Sequence, residues 1–182
     1  MTTSPLANPT ATRELLEEFG LATKHRLGQN FLIDNHVIER ICELAELAGD
    51  ERVLEVGPGC GTLTLALLQE AACVTSIEAD PELEPVLDAH AADYANFRFI
   101  MGDALKVTPG QIEQAAGGEP TVFVANLPIT WRRRSSFNSS RRCPRLSALS
   151  SWCKRKLQIV LPQRRATRPM AAIRQSSACM RR

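Results

Sequence analysis

The sequence predicts an α/β fold with a sheet of four parallel strands, followed by an irregular basic tail. Three observations support this prediction. Short apolar runs alternate with helical stretches from residue 52 onward, which is typical of a parallel sheet with crossover helices. A glycine-rich segment follows the first apolar run, and composition changes abruptly after Pro128.

The apolar runs place strands at residues 52–56, 73–78, 97–101 and 121–125. Helical spacing between them predicts helices at roughly 62–70, 81–92 and 109–116. Parallel strands joined in this way almost always have right-handed crossovers. A ligand is therefore expected beyond the carboxyl ends of the strands, at the switch point of the sheet.

Two further helices are predicted before the sheet. Residues 12–19 form a short amphipathic pattern with Thr12 as its cap and Gly20 as its stop. Residues 22–32 are irregular and basic. A second helix begins at a cap supplied by Asp34 or Asn35, carries apolar residues at helical spacing, and is expected to end at Gly49.

Length and composition limit the class of protein. A chain of 182 residues suits one domain. The apolar runs are shorter than the roughly 18 residues of a membrane span, and the start of the chain lacks the pattern of a signal peptide, so a soluble, cytoplasmic protein is expected. The six cysteines form no C-x-x-C pair, which favours free thiols and argues against a metal site.

The glycine-rich segment Glu55-Val56-Gly57-Pro58-Gly59-Cys60-Gly61 runs from the first strand into a helix start. Its glycines allow a sharp turn and let a ligand lie against bare backbone. The motif of a dinucleotide site is G-x-G-x-x-G, and here the third glycine comes one residue early. The spacing favours a ligand without a pyrophosphate, such as S-adenosylmethionine, although a simple strand-to-helix turn is the alternative.

Acidic residues follow the next two strands. Glu78 ends the second strand, where a carboxylate can accept hydrogen bonds from ribose hydroxyls; the alternative is an exposed acid at a strand end. Asp103 follows the third strand and can accept from an exocyclic amine such as that of adenine, or can form a turn. After the fourth strand, the Asn126 side chain and a carbonyl held extended by Pro128 can grip an amino group as acceptors.

With these residues the chain resembles the ribosomal RNA adenine N6-dimethyltransferases of the small subunit, relatives of the macrolide-resistance rRNA methyltransferases. The resemblance covers residues from about 12 to 128. Its most specific element is Gly28-Gln29-Asn30-Phe31-Leu32, within the basic segment from Lys24. The remaining motifs are the glycine-rich segment, Glu78-Ala79-Asp80, Gly102-Asp103-Ala104-Leu105 and Asn126-Leu127-Pro128.

The resemblance implies an incomplete Rossmann-like S-adenosylmethionine-dependent methyltransferase fold in residues 1–128. It implies dimethylation of N6 of two adjacent adenosines in small-subunit rRNA, in the pre-30S particle, without a metal. The positions that match cofactor-contacting residues of the family are Asn30, Leu32, Gly57, Glu78, Asp103 and Asn126. The positions that match its catalytic element, which holds the target amine, are Asn126, Leu127 and Pro128.

The resemblance ends at residue 129. The family stacks the target adenine on an aromatic residue directly after the proline, whereas this chain has Ile129, which offers no flat face for a base. Residues 1–128 hold all twenty acids and seven Lys and Arg, while residues 129–182 hold fifteen Lys and Arg and no acid. Leu, Ile, Val and Phe make up nine of those last 54 residues, a share typical of disorder.

Three interpretations of this tail compete: a basic RNA-binding arm, a solvated tail, or a stretch translated out of frame. The genetic code favours the third. Restoring one T before any isoleucine codon yields tyrosine at residue 129, which is the kind of aromatic residue that the family has at this position. The same shift turns the Trp152-Cys153 junction into valine and the Met170-Ala171 junction into glycine.

An out-of-frame tail would leave the fourth strand as an unpaired edge, and the chain as a truncated, inactive cofactor-binding lobe. Two other functions stay open. A non-catalytic RNA-binding module would show steep salt dependence that disappears when 129–182 are deleted. A methyltransferase for another substrate would keep the glycines and acids but would not need Asn30.

Overall fold

The computed structural model describes residues 2–21, 32, 34–126 and 155–159, with the backbone alone for 126 and 155–159. Five parallel strands form one sheet in the order β3-β2-β1-β4-β5. The strands are β1 (Arg52–Val56), β2 (Cys73–Glu78), β3 (Phe97–Met101), β4 (Val122–Asn126) and β5 (Arg155–Ile159). Strand order reverses at β1, which lies between β2 and β4, as expected for the switch point of an open α/β sheet.

Helices cover both faces of the sheet. They are α1 (Pro9–Glu18), α2 (Asn35–Ala45), α3 (Thr62–Leu67), α4 (Glu84–Asp93) and α5 (Pro109–Ala116). Alternate residues of β1 explain the two layers. Val53 packs with α2 and α3 on one face, whereas Leu54 and Val56 pack with Ile112 of α5 on the other. Among the described residues, no helix is long and apolar enough to cross a membrane.

The predicted sheet elements are confirmed with small shifts. The first three strands have the predicted bounds, and the fourth is displaced by one residue because Thr121 pairs with Arg52 just before the strand begins. The helix predicted at 62–70 ends at Leu67. The helix predicted at 81–92 begins as a 3-10 turn, Pro81–Leu83, in which Asp80 accepts a hydrogen bond from the Glu82 N–H.

The predicted cap of the first helix is wrong. Asn8 is the N-cap, since its side chain accepts from the Ala11 N–H at 2.8 Å, and Pro9 occupies the first turn, where a missing N–H costs nothing. Thr12 instead lies buried inside α1 and donates its hydroxyl to the Leu6 carbonyl at 2.8 Å. The stop at Gly20 is confirmed, with Gly20 in the left-handed region at φ 69°.

The second helix begins at Asp34, one of the two predicted caps, whose carboxylate accepts from the His36 N–H. Its predicted end at Gly49 is wrong, because Glu46 adopts the left-handed conformation at φ 50° and closes the helix three residues earlier. The apolar side chain that follows explains the early stop: Leu47 packs against the core from outside the helix.

The prediction of a wholly irregular tail and an unpaired β4 edge is wrong. Residues 155–159 form β5, which pairs in parallel with β4 over its whole length, from Val122 opposite Arg155 to Asn126 opposite Ile159. An open strand edge presents a row of backbone donors and acceptors, and any nearby extended segment can satisfy them. Composition did not predict this strand, because backbone pairing needs no particular side chains. The rest of 127–182 lies outside the described residues.

Candidate functional site

The carboxyl ends of three adjacent strands are joined by backbone hydrogen bonds. The Gly57 N–H donates to the Ile77 carbonyl at 3.0 Å, which ties the end of β1 to the end of β2. The Gly102 N–H donates to the Glu78 carbonyl at 2.7 Å, which ties β3 to β2. The glycine-rich segment, Glu78 and Asp103 therefore meet at one edge of the sheet, as the sequence predicted.

The glycine-rich loop, residues 57–61, adopts a backbone that only glycine takes up readily. Gly57, Gly59 and Gly61 have φ values of 77°, 63° and 88°, all in the left-handed region. The Gly61 N–H closes the loop by donating to the Pro58 carbonyl at 3.1 Å. Since the Gly57 N–H is engaged by β2, Gly57 offers a ligand its bare Cα surface rather than a donor.

Glu78 holds the loop through its side chain. Its Oε2 accepts from the Gly59 N–H at 3.1 Å, and its Oε1 accepts from the N–H groups of Ala79 and Asp80 at 2.8 and 2.9 Å. Burial raises the pKa of this carboxyl, and the three backbone donors oppose that shift. A carboxylate offers about four acceptor positions, so roughly one, on Oε2, remains for a ligand.

Glu55, the next-to-last residue of β1, is fully buried. Its Oε2 accepts from the hydroxyls of Thr64 and Ser76 at 2.7 and 2.6 Å, which links α3 to β2. Oε1 is buried and has no hydrogen-bond partner within the described part of the chain. Burial raises the pKa of Glu55 to about 7, with hydrogen bonds from Ser76 and Thr64 opposing and the charge of Glu78 adding to the shift.

Asp103 forms a turn, which was the predicted alternative to a role in ligand binding. Its Oδ1 accepts from the Leu105 N–H at 2.9 Å, and its carbonyl accepts from the N–H of Lys106 at 2.8 Å. The turn uses one carboxylate oxygen and leaves Oδ2 for a ligand. Asp103 as a whole is half-buried rather than buried.

Of the other predicted site residues, the structure describes only some. Asn126 ends β4, one position beyond the pair formed by Ala125 and Val56, so its backbone lies beside the start of the loop. Leu32 is buried in the core that contains α2 and α3, which leaves its backbone for any ligand contact. Asn30, Leu127 and Pro128 lie outside the described residues.

Sequence reasoning missed His90 of α4, whose ring is buried beside the loop. Its Nε2 lies 3.0 Å from the Cys60 carbonyl oxygen. A signal was present, because Leu83, Val86 and His90 recur at helical spacing and the first two are core residues. No group of three or more His, Cys, Asp or Glu side chains suited to a metal ion occurs within 2–21 and 34–125.

The sequence matches the family model described as ribosomal RNA adenine dimethylase over residues 20–135. It is 40% identical over 125 residues to the ribosomal RNA small subunit methyltransferase A of Bacillus mycoides, which covers 68% of this chain and 43% of that protein. The same figures hold for the enzyme of Bacillus thuringiensis. The chain thus spans less than half the length of the curated relatives that it matches.

Solved structures agree with this assignment. The 23S rRNA methyltransferase ErmE is 31% identical with a TM-score of 0.54, and the match covers 72% of this chain and 48% of that one. A dimethyladenosine transferase from Plasmodium falciparum is 25% identical with a TM-score of 0.51, over 70% of this chain and 42% of that one. The family model alone covers well over half of the chain. The chain therefore belongs to the ribosomal RNA adenine dimethylase family.

Proposed function

We propose that residues 1–128 are the cofactor-binding lobe of an S-adenosylmethionine-dependent rRNA adenine N6-dimethyltransferase. The observation that carries this proposal is the meeting of the glycine-rich loop, Glu78 and Asp103 at the carboxyl ends of β1, β2 and β3. A nucleoside presents ribose hydroxyls and an exocyclic amine, which are donors, and the site presents the carboxylate acceptors of Glu78 and Asp103.

The hydrogen-bond acceptors of the site suit this cofactor. Glu78 has one acceptor position left on Oε2, so we infer one direct hydrogen bond to a ribose hydroxyl while the Gly59 N–H stays bound. Asp103 Oδ2 would accept from the adenine amine, and Gly57 would let the ligand lie against its backbone. Asn30 and Leu32 complete the cofactor set by family position, and Asn126 borders both cofactor and target.

S-adenosylmethionine, when bound, supplies an electrophilic methyl group. The protein's contribution is to orient the target amine, whose lone pair is conjugated with the adenine ring and so is a weak nucleophile. The Asn126 side chain and the Leu127 carbonyl, held extended by Pro128, would accept hydrogen bonds from that amine. These bonds would orient its lone pair toward the methyl group of the cofactor. Proximity and electrostatics would then carry most of the rate enhancement.

The family's substrate, small-subunit rRNA in a cytoplasmic pre-30S particle, is the inferred partner of the complete enzyme. For this 182-residue chain we infer cofactor binding without rRNA methylation. Position 129 holds isoleucine in place of the aromatic residue on which the family stacks the target base, and residues 129–182 carry the composition of an out-of-frame stretch. The family match covers residues 20–135 and leaves most of the tail unmatched.

Binding of S-adenosylmethionine, measured by isothermal titration calorimetry, tests the cofactor site. Glu78→Gln keeps the size of the side chain but removes its charge and presents an NH₂ to donors. We expect affinity to fall by about a hundredfold, because hydrogen bonds to charged acceptors contribute most. Glu113→Gln, the same change on the exposed side of α5, is the matched control and should bind like the original chain.

Transfer of labelled methyl groups to small ribosomal subunits tests the second half of the proposal. The purified chain should transfer none above the level of a sample without protein. Measurable transfer, lost in Glu78→Gln and kept in Glu113→Gln, would show that residues 129–182 do complete the enzyme, and would overturn the inferred inactivity.

A further inference from the structure

We propose that His90 is a positioning residue for the cofactor site: it holds the Cys60 carbonyl and thereby fixes the glycine-rich loop in the conformation that receives the ligand. The inference rests on the proposed function for its consequence, cofactor affinity. Its physical core, the fixing of the loop by His90, can be measured without any cofactor.

The contact itself assigns the proton. A carbonyl oxygen only accepts, so the His90 Nε2 at 3.0 Å from the Cys60 oxygen must carry a hydrogen and donate it. Both groups are buried, with His90 8% exposed and Cys60 0%. A buried carbonyl deprived of its donor is costly, so this bond has a strong effect on which way the Cys60–Gly61 peptide faces.

The two polar groups of that peptide are held on opposite sides. Its carbonyl accepts from His90, and its N–H, that of Gly61, donates to Pro58 at 3.1 Å. Rotation of the peptide would break both bonds at once. The Cys60 side chain is fixed as well, since it packs in an apolar cluster with Leu16 of α1 and Val86 of α4.

The glycine-rich loop packs closely against the His90 ring. A Cβ on Gly61 would lie 2.7 Å from the His90 Cδ2 and 2.8 Å from its Nε2, closer than real Cβ atoms come to other atoms. Gly59, two residues earlier, donates its N–H to the Glu78 carboxylate. Two side chains, those of Glu78 and His90, therefore hold the backbone of the loop.

Two substitutions separate hydrogen bonding from space filling. His90→Leu has a similar volume but no donor, whereas His90→Gln places an N–H at nearly the same distance from the backbone. We expect hydrogen exchange of the Gly61 amide to speed up by about tenfold or more in His90→Leu and by less than about threefold in His90→Gln. Amides of α5 should exchange equally in all three proteins and serve as the internal control.

Cofactor affinity should follow the same order. The dissociation constant for S-adenosylmethionine should rise by about tenfold in His90→Leu and less than threefold in His90→Gln, because a loosened loop spends less time in the competent conformation. If the original chain does not bind the cofactor, the proposed function fails, but Gly61 exchange still decides the role of His90. Equal exchange in the three proteins, or equal loss in both variants, would overturn the inference.

A measurement on the unaltered chain covers the case in which His90→Leu does not fold. The ¹⁵N spectrum of the imidazole should show His90 protonated at Nε2, with a slowly exchanging ring proton. A neutral ring protonated only at Nδ1 could not donate to Cys60 and would contradict the proposal.

Discussion

The β1–β2–β3 side of the sheet and the β4–β5 side carry different halves of the site. On the first side, loop, Glu78 and Asp103 are tied together by backbone and side-chain hydrogen bonds within residues that match the family. On the second side, β4 leads into the target-amine element, and the residue directly after Pro128 is Ile129 in place of the expected aromatic residue. On the proposed function, this difference makes cofactor binding and base methylation separable in this chain.

Restoring one base in the codon after Pro128 gives the largest expected effect, because it rebuilds the β4–β5 side alone. The re-read sequence should begin with tyrosine and continue as family-like sequence without an early stop, and its product should methylate small ribosomal subunits where the present chain does not. Sequencing of the locus and a labelled-methyl assay measure both. Stop codons closing the other frame soon after residue 129 would contradict the out-of-frame proposal.

Gly61→Ala should lower the free energy of unfolding, because the new methyl group clashes with its surroundings on the β1–β2–β3 side. The left-handed backbone costs an alanine about 1–2 kcal/mol, and contact with the His90 ring adds about 1–3 kcal/mol. Gly49→Ala is the matched control, because its φ of 98° imposes similar strain but nothing lies within 4 Å of the new Cβ. Urea unfolding of both variants isolates the contact. Equal losses would mean that the ring moves aside freely.

Glu55→Gln should change how stability depends on pH. Because the pKa of Glu55 is raised from 4.5 to about 7 by folding, the unfolded chain loses this proton first as pH rises. Stability should therefore fall between pH 4.5 and 7, by up to about 1.4 kcal/mol per unit, and level off above. The raised pKa of Glu78 adds a slope of the same sign.

Removing the ionisable group at residue 55 should flatten that slope, and the exposed control Glu14→Gln should keep it. Urea unfolding at several pH values between 4.5 and 7 measures the difference. An unchanged slope in Glu55→Gln would mean that Glu55 is ionised in the folded protein despite its burial.

Asp103→Asn should have the smallest effect. The amide oxygen can still accept from the Leu105 N–H, so the turn and the stability should be preserved within about 0.5 kcal/mol. The loss of a charged acceptor should weaken S-adenosylmethionine binding by about fivefold, as calorimetry would show. A large loss of stability would make Asp103 a structural residue rather than a ligand-binding one.

The sequence predicted the first three strands and the meeting of Gly57, Glu78 and Asp103, because strand ends and glycine turns depend on local pattern. It did not predict the start of α1, where Asn8 and Thr12 are both good caps and the Thr12 hydroxyl donates to the Leu6 carbonyl instead. Glu55 and His90 gained their partners from α3, β2 and the loop, which are distant in sequence. Strand β5 depends on the open edge of β4 rather than on its own composition.

The most direct test of separable halves is a titration of the ¹⁵N-labelled chain with S-adenosylmethionine, followed through its backbone amides. We predict saturable shifts at residues 57–61, 78–80 and 102–103, with little change at the α5 amides of 113–116. Shifts confined to other regions, or none at saturating cofactor, would contradict the assignment of the cofactor site to this edge of the sheet.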